Sequence, residues 1–402
     1  MIFMGGAGED SESGIPGNEI NQFDQDFEIA KAKAKSSGYT FDYLYAGDHK
    51  GSDNFLSKYN DIQYSKSKWM TPFNLDKMIE RYQGALNGTN TRPEEQLKAG
   101  DQVVFTISNH GMLRGDNPQL KDKEKTHSIA CSANQPIEIG GRKNLYCSLD
   151  KLQPLIEQME AKGIKVAVVD ESCYGASTLS IGTPKTCVVS KSAQDQVGWN
   201  YDKSTFIRHL QPGKSVQDSF QSYIQYSHLN FPMINTQAGQ RAAERIRDIV
   251  EVRKNDQADL LVRQRCDPQV DPLPRAMRNM MDLTVATNTG ELPNTPEMQQ
   301  ALNDLGSALK QYQEKSDEAI RYLKLIDLAK SKSSKDRENA AKAIHLYNRL
   351  TRMPDDLTRA DENTIVTAAL NIDRPLKAIY DLLYKEELKK ERAPSACAQF
   401  TF

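Results

Sequence analysis

The sequence predicts an α/β fold with a mostly parallel central sheet flanked by helices, followed by an all-helical carboxyl-terminal domain. Residues 103–107 and 166–169 are short apolar, β-branched runs, which are typical of buried strands in a parallel sheet. From residue 237 onward strand signals are absent, and apolar residues recur at helical spacing. We therefore expect an α/β domain over residues 1–236 and a helical domain over residues 237–402.

Strand and helix patterns alternate along the first of these domains. Short apolar or alternating segments predict strands at residues 1–8, 39–45, 103–109, 166–170 and 186–190. Apolar residues at helical spacing predict helices at residues 21–36, 75–86, 149–162 and 219–226. The helix at 149–162 would carry the chain across the sheet as a right-handed crossover between parallel strands.

A long connection rich in Lys, Asp and Gly occupies residues 112–148, between a predicted strand and the next predicted helix. Irregular connections of this length are usually functional or mobile in a compact domain. We expect an insertion, mostly loop, that overhangs a cleft at the sheet edge and shapes the choice of substrate.

The second domain is expected to be a bundle or a set of helical hairpins. Apolar residues in a near-heptad pattern predict one long helix over residues 302–326. Two further helices are expected at residues 340–350 and 376–390. A proline-rich break at 267–274 and a charged turn at 331–339 would separate the helices.

Composition excludes several classes of function. With 52 basic and 54 acidic residues, the chain has no charge excess that would steer it to nucleic acid or an anionic membrane. No apolar run is long enough to span a bilayer. Residues 1–15 do not resemble a signal peptide. The compartment stays open: secreted or periplasmic if a leader has been removed, and otherwise cytoplasmic.

The chain has six cysteines. If Cys173 has a catalytic role it must stay a free thiol, which leaves five and argues against a fully paired set. Cys187 lies inside a predicted strand and is expected to be a buried thiol. The candidate disulfides are Cys131 with Cys147 and Cys266 with Cys397, and the alternative is that these four thiols are unpaired.

Each of the two apolar runs ends at a polar turn that carries a reactive side chain, His110 in one case and Cys173 in the other. In open α/β sheets, chemistry is placed at the carboxyl ends of neighbouring strands, so we expect these side chains to meet. An imidazole beside a thiol favours the nucleophilic thiolate. We assign Cys173 as the nucleophile and His110 as the general acid that protonates the leaving amine.

A strand followed by His-Gly, and then a strand followed by acid-small-Cys-x-Gly, resembles the caspase/legumain clan of cysteine peptidases (clan CD). The likeness continues through the next strand and helix and covers roughly residues 1–236. It implies a caspase-like sandwich and a thiol protease that hydrolyses peptide bonds through a thioester acyl-enzyme. It also implies an oxyanion hole formed by the backbone N–H groups of Gly111 and Cys173.

The resemblance implies a specificity pocket around Glu171, two residues before the nucleophile. Ser190, Gln194 and Asp195 are its further candidates. A buried carboxylate suits a substrate guanidinium or ammonium, which predicts cleavage after Arg or Lys. Two alternatives stay open: legumain-like cleavage after Asn, and a Glu171 carboxylate that is hydrogen-bonded within its own turn.

The expected partner is a peptide or protein substrate, with no cofactor, no metal, no nucleic acid and no membrane span. Legumain-like zymogens carry a helical carboxyl-terminal segment over the active site, so the helical domain is a candidate for autoinhibition. The alternative from another functional class is a catalytically silent caspase-like scaffold whose helices bind partners.

Overall fold

In the computed structural model of the protein, the chain is described over residues 1–6, 18–46, 68–89, 96–112, 127–131, 137–139, 142–194, 196, 198, 205–224, 226–227, 230–253, 258–351 and 359–402. It divides into two compact units. One comprises residues 1–240 together with residues 387–402, and is called the sheet unit here. The other comprises residues 241–386 and is called the helical unit. The sequence placed the domain boundary at 236 and assigned residues 387–402 to the helical part.

The strands of the described chain are β1 (Ile2–Gly6), β2 (Asp42–Ala46), β3 (Gln102–Asn109), β4 (Gly111–Met112), β5 (Ser128–Cys131), β6 (Ile137–Ile139), β7 (Arg142–Ser148), β8 (Lys165–Asp170), β9 (Cys187–Ser190) and β10 (Met233–Ile234). The helices of the sheet unit before residue 240 are α1 (Asn18–Ser36), α2 (Pro72–Asn87), α3 (Gln153–Ala161), α4 (Val216–Ile224) and the start of α5 (Gln237–Arg245).

A six-stranded sheet in the order β10-β9-β8-β3-β1-β2 forms the centre of the sheet unit. Its strand pairs are parallel except for the short edge strand β10, which runs antiparallel to β9. The predicted α/β architecture with a mostly parallel sheet is therefore confirmed. The strands are apolar on both faces because helices cover both faces.

Alternate residues of each strand face opposite layers of helices. On one face, Val103 and Phe105 belong to an apolar cluster with Met78 of α2 and Ile156 of α3. On the other face, the ring of Phe27 in α1 packs edge-on against Phe3 of β1, with 5.3 Å between the ring centroids. Helices therefore cover both faces of the central strands, and a functional site is expected at the carboxyl ends of the strands.

The prediction that residues 112–148 are mostly loop is wrong for the part that the structure describes. Four antiparallel strands form a second sheet there, in the order β4-β5-β7-β6. Ile129 and Cys131 of β5 and Cys147 of β7 are buried, an apolar signal that the many charged residues nearby hide in the sequence. The predicted disulfide between Cys131 and Cys147 is present and joins β5 to β7. Residues 113–126 lie outside the described chain.

The last residues of the chain belong to the sheet unit. The backbone N–H of Val216 donates to the carbonyl of Phe400 at 3.0 Å, and the ring of Phe402 stacks on Tyr39. Cys397 forms a disulfide with Cys187 at the start of β9, with 4.6 Å between their Cα atoms. The predictions of a Cys266–Cys397 pair and of an unpaired Cys187 are wrong, because disulfide connectivity across 210 positions is not readable from sequence.

The helical unit contains the remainder of α5, then α6 (Arg247–Val250), α7 (Ala258–Cys266), α8 (Leu273–Asn288), α9 (Pro296–Ala329), α10 (Ser334–Thr351) and most of α11 (Arg359–Leu388). A final short helix, α12 (Ala396–Gln399), lies in the sheet unit. The predicted long helix is confirmed as α9. The predicted charged turn at 331–339 is mostly helical, since α10 begins at Ser334. In the part of the chain that the structure describes, no helix combines the length and apolarity that crossing a membrane requires.

Candidate active site

The pairing of β3 with β8 brings His110 and Cys173 to the same level of the sheet. These strands are parallel, and Ile107 pairs with Asp170, an offset of 63 positions. His110 and Cys173 differ by the same 63 positions, so each lies three residues beyond a paired residue. The pairing continues past the strand end, since the N–H of Glu171 donates to the carbonyl of Ile107 at 2.7 Å. Both residues are partly exposed.

The backbone of Gly111 lies directly against the backbone of Cys173. A β-carbon placed on Gly111 would overlap the carbonyl oxygen of Cys173 and would lie 3.0 Å from its amide nitrogen. Position 111 therefore requires glycine for this close approach. The structure thus brings together the two segments predicted to form the catalytic pair and the oxyanion hole.

A strained turn follows the cysteine. Tyr174 has φ of 59°, the one positive value among the non-glycine residues that the structure describes. A tyrosine in this left-handed region costs free energy that neighbouring contacts must offset. Its N–H donates to the carbonyl of Gln196 at 2.8 Å. The turn leaves the Cys173 sulfur 3.6 Å from the carbonyl oxygen of Gly198, and a short 3₁₀ helix (Gly175–Ser180) begins at once.

Ser192, just after the neighbouring strand β9, holds this turn in place by hydrogen bonds. Its hydroxyl donates to the carbonyl of Ser172 at 3.0 Å and accepts from the N–H of Gly175 at 2.9 Å. Its own carbonyl accepts from the N–H of Ala176 at 3.0 Å. Bonds on both sides of Cys173 fix its backbone, which is what a positioned nucleophile requires.

A second set of polar side chains, not predicted from the sequence, lies on the buried side of the turn. His127, Ser172 and Asp170, called the His127 network here, are all at most 2% exposed. The Nε2 atom of His127 lies 2.8 Å from the Ser172 hydroxyl and 3.3 Å from the Asp170 carboxylate. The Ser172 hydroxyl donates to the other oxygen of that carboxylate at 2.5 Å.

The strand that follows His127 also contacts the His110 segment. The N–H of Ala130 donates to the carbonyl of His110 at 3.0 Å. The side-chain amide of Asn109 donates to the carbonyl of Ala130 at 2.9 Å. The ring of Phe23 from α1 packs edge-on against the imidazole of His110, with 5.1 Å between centroids. The segment made of His127 and β5 therefore contacts both halves of the candidate site.

The candidate specificity residues are not grouped on one surface. Glu171 is 1% exposed, and one of its carboxylate oxygens accepts from the N–H of Ile207 at 2.9 Å. Ser190 is buried, and its hydroxyl donates to the carbonyl of Ser192 at 3.0 Å. Gln194 is exposed, and Asp195 lies outside the described residues.

Glu171 belongs to a buried charge cluster with Lys191 and Asp26. Burial raises the pKa of Glu171 to about 8, and the attraction of Lys191 opposes this rise. Burial likewise raises the pKa of Asp26 and lowers the pKa of Lys191. One oxygen of each carboxylate and the Lys191 ammonium have no hydrogen-bond partner among the described residues.

Within the described ranges, no three His, Cys, Asp or Glu side chains are grouped as metal ligands. The predictions of no metal and no cofactor stay predictions.

Comparisons with known proteins identify no family. No protein-family model matches the chain, and no curated protein matches it. Among solved structures, the crystal structure of protein GSU0716 from Geobacter sulfurreducens is similar at 12% sequence identity and a TM-score of 0.34. The similarity covers 58% of this chain and 91% of that chain. At this TM-score the likeness supports no conclusion about fold or function.

Proposed function

We propose that the chain is a cysteine endopeptidase of caspase/legumain type that uses the Cys173–His110 pair. The observation that carries this proposal is the β3–β8 register, which sets the two residues at one level on adjacent strand ends. The contact of Gly111 with the Cys173 backbone supports the same arrangement. The caspase-like sandwich is part of the proposal, supported by the strand order and by helices on both sheet faces.

The proposed reaction is acyl transfer in two steps. The Cys173 thiolate attacks the scissile carbonyl, and the N–H groups of Gly111 and Cys173 hold the resulting oxyanion. The tetrahedral intermediate collapses to a thioester as the C–N bond breaks, and protonated His110 gives its proton to the leaving amine. His110 then takes a proton from water, whose oxygen attacks the thioester; the C–S bond breaks and releases the carboxylic acid, which regenerates the Cys173 thiolate and protonated His110.

The buried charge cluster supports the thiolate form of Cys173. The Lys191 ammonium is attracted to the ionised sulfur as well as to Glu171 and Asp26. A cation held in the protein interior, where screening by water is weak, favours the negatively charged state of its neighbour.

The substrate preference is proposed in two forms that an experiment separates. Cleavage after Arg or Lys uses Glu171 as the carboxylate that binds the substrate cation. Lys191, however, already places a cation beside Glu171. This observation favours the second form, cleavage after Asn, because an uncharged amide does not have to displace the lysine.

Two further proposals follow from the organisation of the chain. The helical unit is proposed to inhibit the sheet unit until it is cleaved, as helical carboxyl-terminal segments do in legumain-like zymogens. The two disulfides support a secreted or periplasmic location, since disulfides persist in oxidising compartments.

The test is covalent labelling by peptidyl acyloxymethyl ketones with Arg, Lys or Asn next to the reactive group. We expect one label per chain on Cys173, none in Cys173→Ala, and unchanged labelling in Cys266→Ala. Cys266 is the matched control because it is the other free cysteine of the described chain and is exposed. His110→Ala should slow labelling and peptide turnover by at least about 10²-fold.

The preferred probe also decides the specificity, and a peptide library extends the result. Labelling that persists in Cys173→Ala contradicts the proposal. So does a protein that stays unlabelled by all three probes before and after cleavage of the helical unit; that outcome supports the silent scaffold.

A further inference from the structure

We infer that His127 is a positioning residue for Cys173, and that strand β5 holds the cysteine turn in a fixed position relative to His110. This inference deepens the proposed function and rests on it for its meaning in catalysis. The contacts of His127 are structural observations, so its positioning role can be tested separately from peptidase activity.

The hydrogen bonds around His127 determine which ring nitrogen carries the proton. The Ser172 hydroxyl has one hydrogen, and its shortest contact is the 2.5 Å bond to Asp170. Its oxygen is then an acceptor toward the imidazole 2.8 Å away. The second oxygen of Asp170, at 3.3 Å, is also an acceptor. Both neighbours of Nε2 accept, so Nε2 carries a hydrogen that points between them.

The burial of the network excludes a direct role in chemistry. His127 is 2% exposed, and Ser172 and Asp170 are fully buried, so a substrate carbonyl has no approach to the Ser172 hydroxyl. The three side chains resemble a serine-hydrolase triad in composition only. Out of contact with water, their hydrogen bonds are worth more than surface bonds and are costly to break. The network therefore fixes a conformation.

The conformation that it fixes is that of the cysteine turn. Ser172 immediately precedes Cys173, and its backbone N–H also donates to Asp170 at 2.9 Å. With the hydroxyl bond, Ser172 is held at two points on Asp170, the last residue of β8. The imidazole of His127, one residue before β5 of the second sheet, adds a third contact to Ser172. Rotation of the turn about the strand end would break all three bonds.

Strand β5, which follows His127, also contacts the backbone around His110. One residue after His127, β5 begins, and it pairs with β4 so that Ile129 lies opposite Gly111. Ala130 bonds the His110 carbonyl, and the Cys131–Cys147 disulfide fixes the end of β5 to β7. A strand of four residues thus connects the backbone on both sides of the candidate pair. Displacement of a reacting group by about 1 Å can cost about 10²-fold in rate.

The experiment measures the reactivity of the Cys173 thiol directly. In a Cys266→Ser background, the rate of alkylation by iodoacetamide is followed from pH 5 to pH 10 in the parent, His127→Ala, His127→Gln and Ser172→Ala. Glutamine places an N–H near the position of Nε2, so it should restore the bond. His345→Ala, in the helical unit, is the matched control. Circular dichroism and tryptophan fluorescence confirm that each variant is folded.

We expect His127→Ala to slow alkylation at neutral pH at least about 10-fold and to move the midpoint of its pH profile upward, toward that of a free thiol. His127→Gln should recover most of both effects. A merely structural role would reduce the folded fraction and leave the profile of the folded molecules unchanged.

The possible failures are distinguishable. A folded His127→Ala protein with the parent's alkylation profile overturns the positioning role, whatever the peptidase result. A shifted profile in a parent that cleaves no peptide and accepts no probe overturns the proposed function and leaves the positioning of Cys173 intact.

Discussion

Two groups of buried charges, one in each unit, are satisfied to different degrees. In the helical unit, the guanidinium of Arg253 donates to both carboxylate oxygens of Asp373, at 2.8 and 2.9 Å, with both side chains buried. In the sheet unit, Asp26, Glu171 and Lys191 are equally buried, yet each has one polar atom without a hydrogen-bond partner among the described residues. The first arrangement is a closed pair and the second is an incomplete cluster.

The difference indicates what each arrangement is for. A bidentate pair with matched geometry holds its two chain segments in one arrangement. Incompletely paired buried groups have strongly shifted pKa values, and such groups concentrate at functional sites. The incomplete cluster lies at the strand end that carries Cys173, where Glu171 is two residues before the cysteine. The comparison therefore shows that the buried charges next to Cys173 are incompletely paired.

The largest effect is expected from opening the closed pair. Asp373→Ala leaves the Arg253 guanidinium buried without its carboxylate, which should lower the free energy of unfolding of the helical unit by about 3–5 kcal/mol. Trp69 lies in the sheet unit, and the other tryptophan of the chain, Trp199, also precedes residue 241 in the sequence. Denaturation followed by far-ultraviolet circular dichroism should show the loss, whereas the tryptophan fluorescence transition should shift much less.

A double variant controls for the loss of packing at the same position. Arg253→Met with Asp373→Leu replaces both charges by apolar side chains and should recover most of the stability, because neither charge is left unpaired. If Asp373→Ala costs less than about 1 kcal/mol, the pair is not the closed structural element described above.

An intermediate effect is expected from cutting the connection between the chain end and β9. Cys397→Ser removes a disulfide that closes a loop of 210 positions, and should destabilise the sheet unit by about 2–4 kcal/mol. The tryptophan fluorescence transition measures this loss. The parent protein in reductant also loses the Cys131–Cys147 disulfide and should show at least the same loss, so a parent insensitive to reductant would contradict the prediction.

The same disulfide predicts the products of limited proteolysis. A cut within residues 241–386 should leave two fragments that migrate together without reductant and separate with it, because residues 387–402 stay bonded to Cys187. Peptidase activity measured on that nicked, disulfide-linked protein tests autoinhibition without removing the end of the sheet unit. Equal activity before and after the cut would remove the inhibitory role.

The sequence was sufficient for the elements whose signal is local. The apolar runs of β3 and β8 identified a parallel sheet, and the polar turns after them identified His110 and Cys173. Long-range facts could not be obtained in this way. The β5 strand was hidden in a charged insertion, so His127 had no assigned role. The partner of Cys397 depended on the return of the chain end to the sheet unit.

The surroundings of Glu171 show the same limit within the site. Its position two residues before Cys173 placed a carboxylate near that cysteine, but its role as a specificity residue stays a prediction. Its neighbours come from elsewhere: Asp26 from α1, Lys191 from the end of β9, and the N–H of Ile207 from a later turn. Whether the carboxylate faces substrate or an internal lysine depends on packing that no spacing in the sequence encodes.

The smallest effect at mildly acidic pH is expected from Glu171→Gln, which keeps an oxygen to accept from the N–H of Ile207. Burial raises the pKa of Glu171 to about 8 from an ordinary value of 4.5, so the folded state keeps a proton that the unfolded state releases between these values. The stability contributed by Glu171 is therefore complete below about pH 4.5 and is lost as pH rises toward 8.

Gln does not titrate, so the variant should match the parent at pH 5. It should become progressively more stable relative to the parent as pH rises from 5 to 8, by up to about 1.4 kcal/mol per pH unit, because the folded parent keeps a proton that its unfolded state releases. The tryptophan fluorescence transition at pH 5, 6, 7 and 8 measures the difference, with Gln194→Glu as an exposed control that should show no such trend. A variant that is less stable than the parent by more than about 3 kcal/mol throughout would mean that Glu171 and Lys191 form a closed ion pair like Arg253 and Asp373, and the contrast between the two units would be lost.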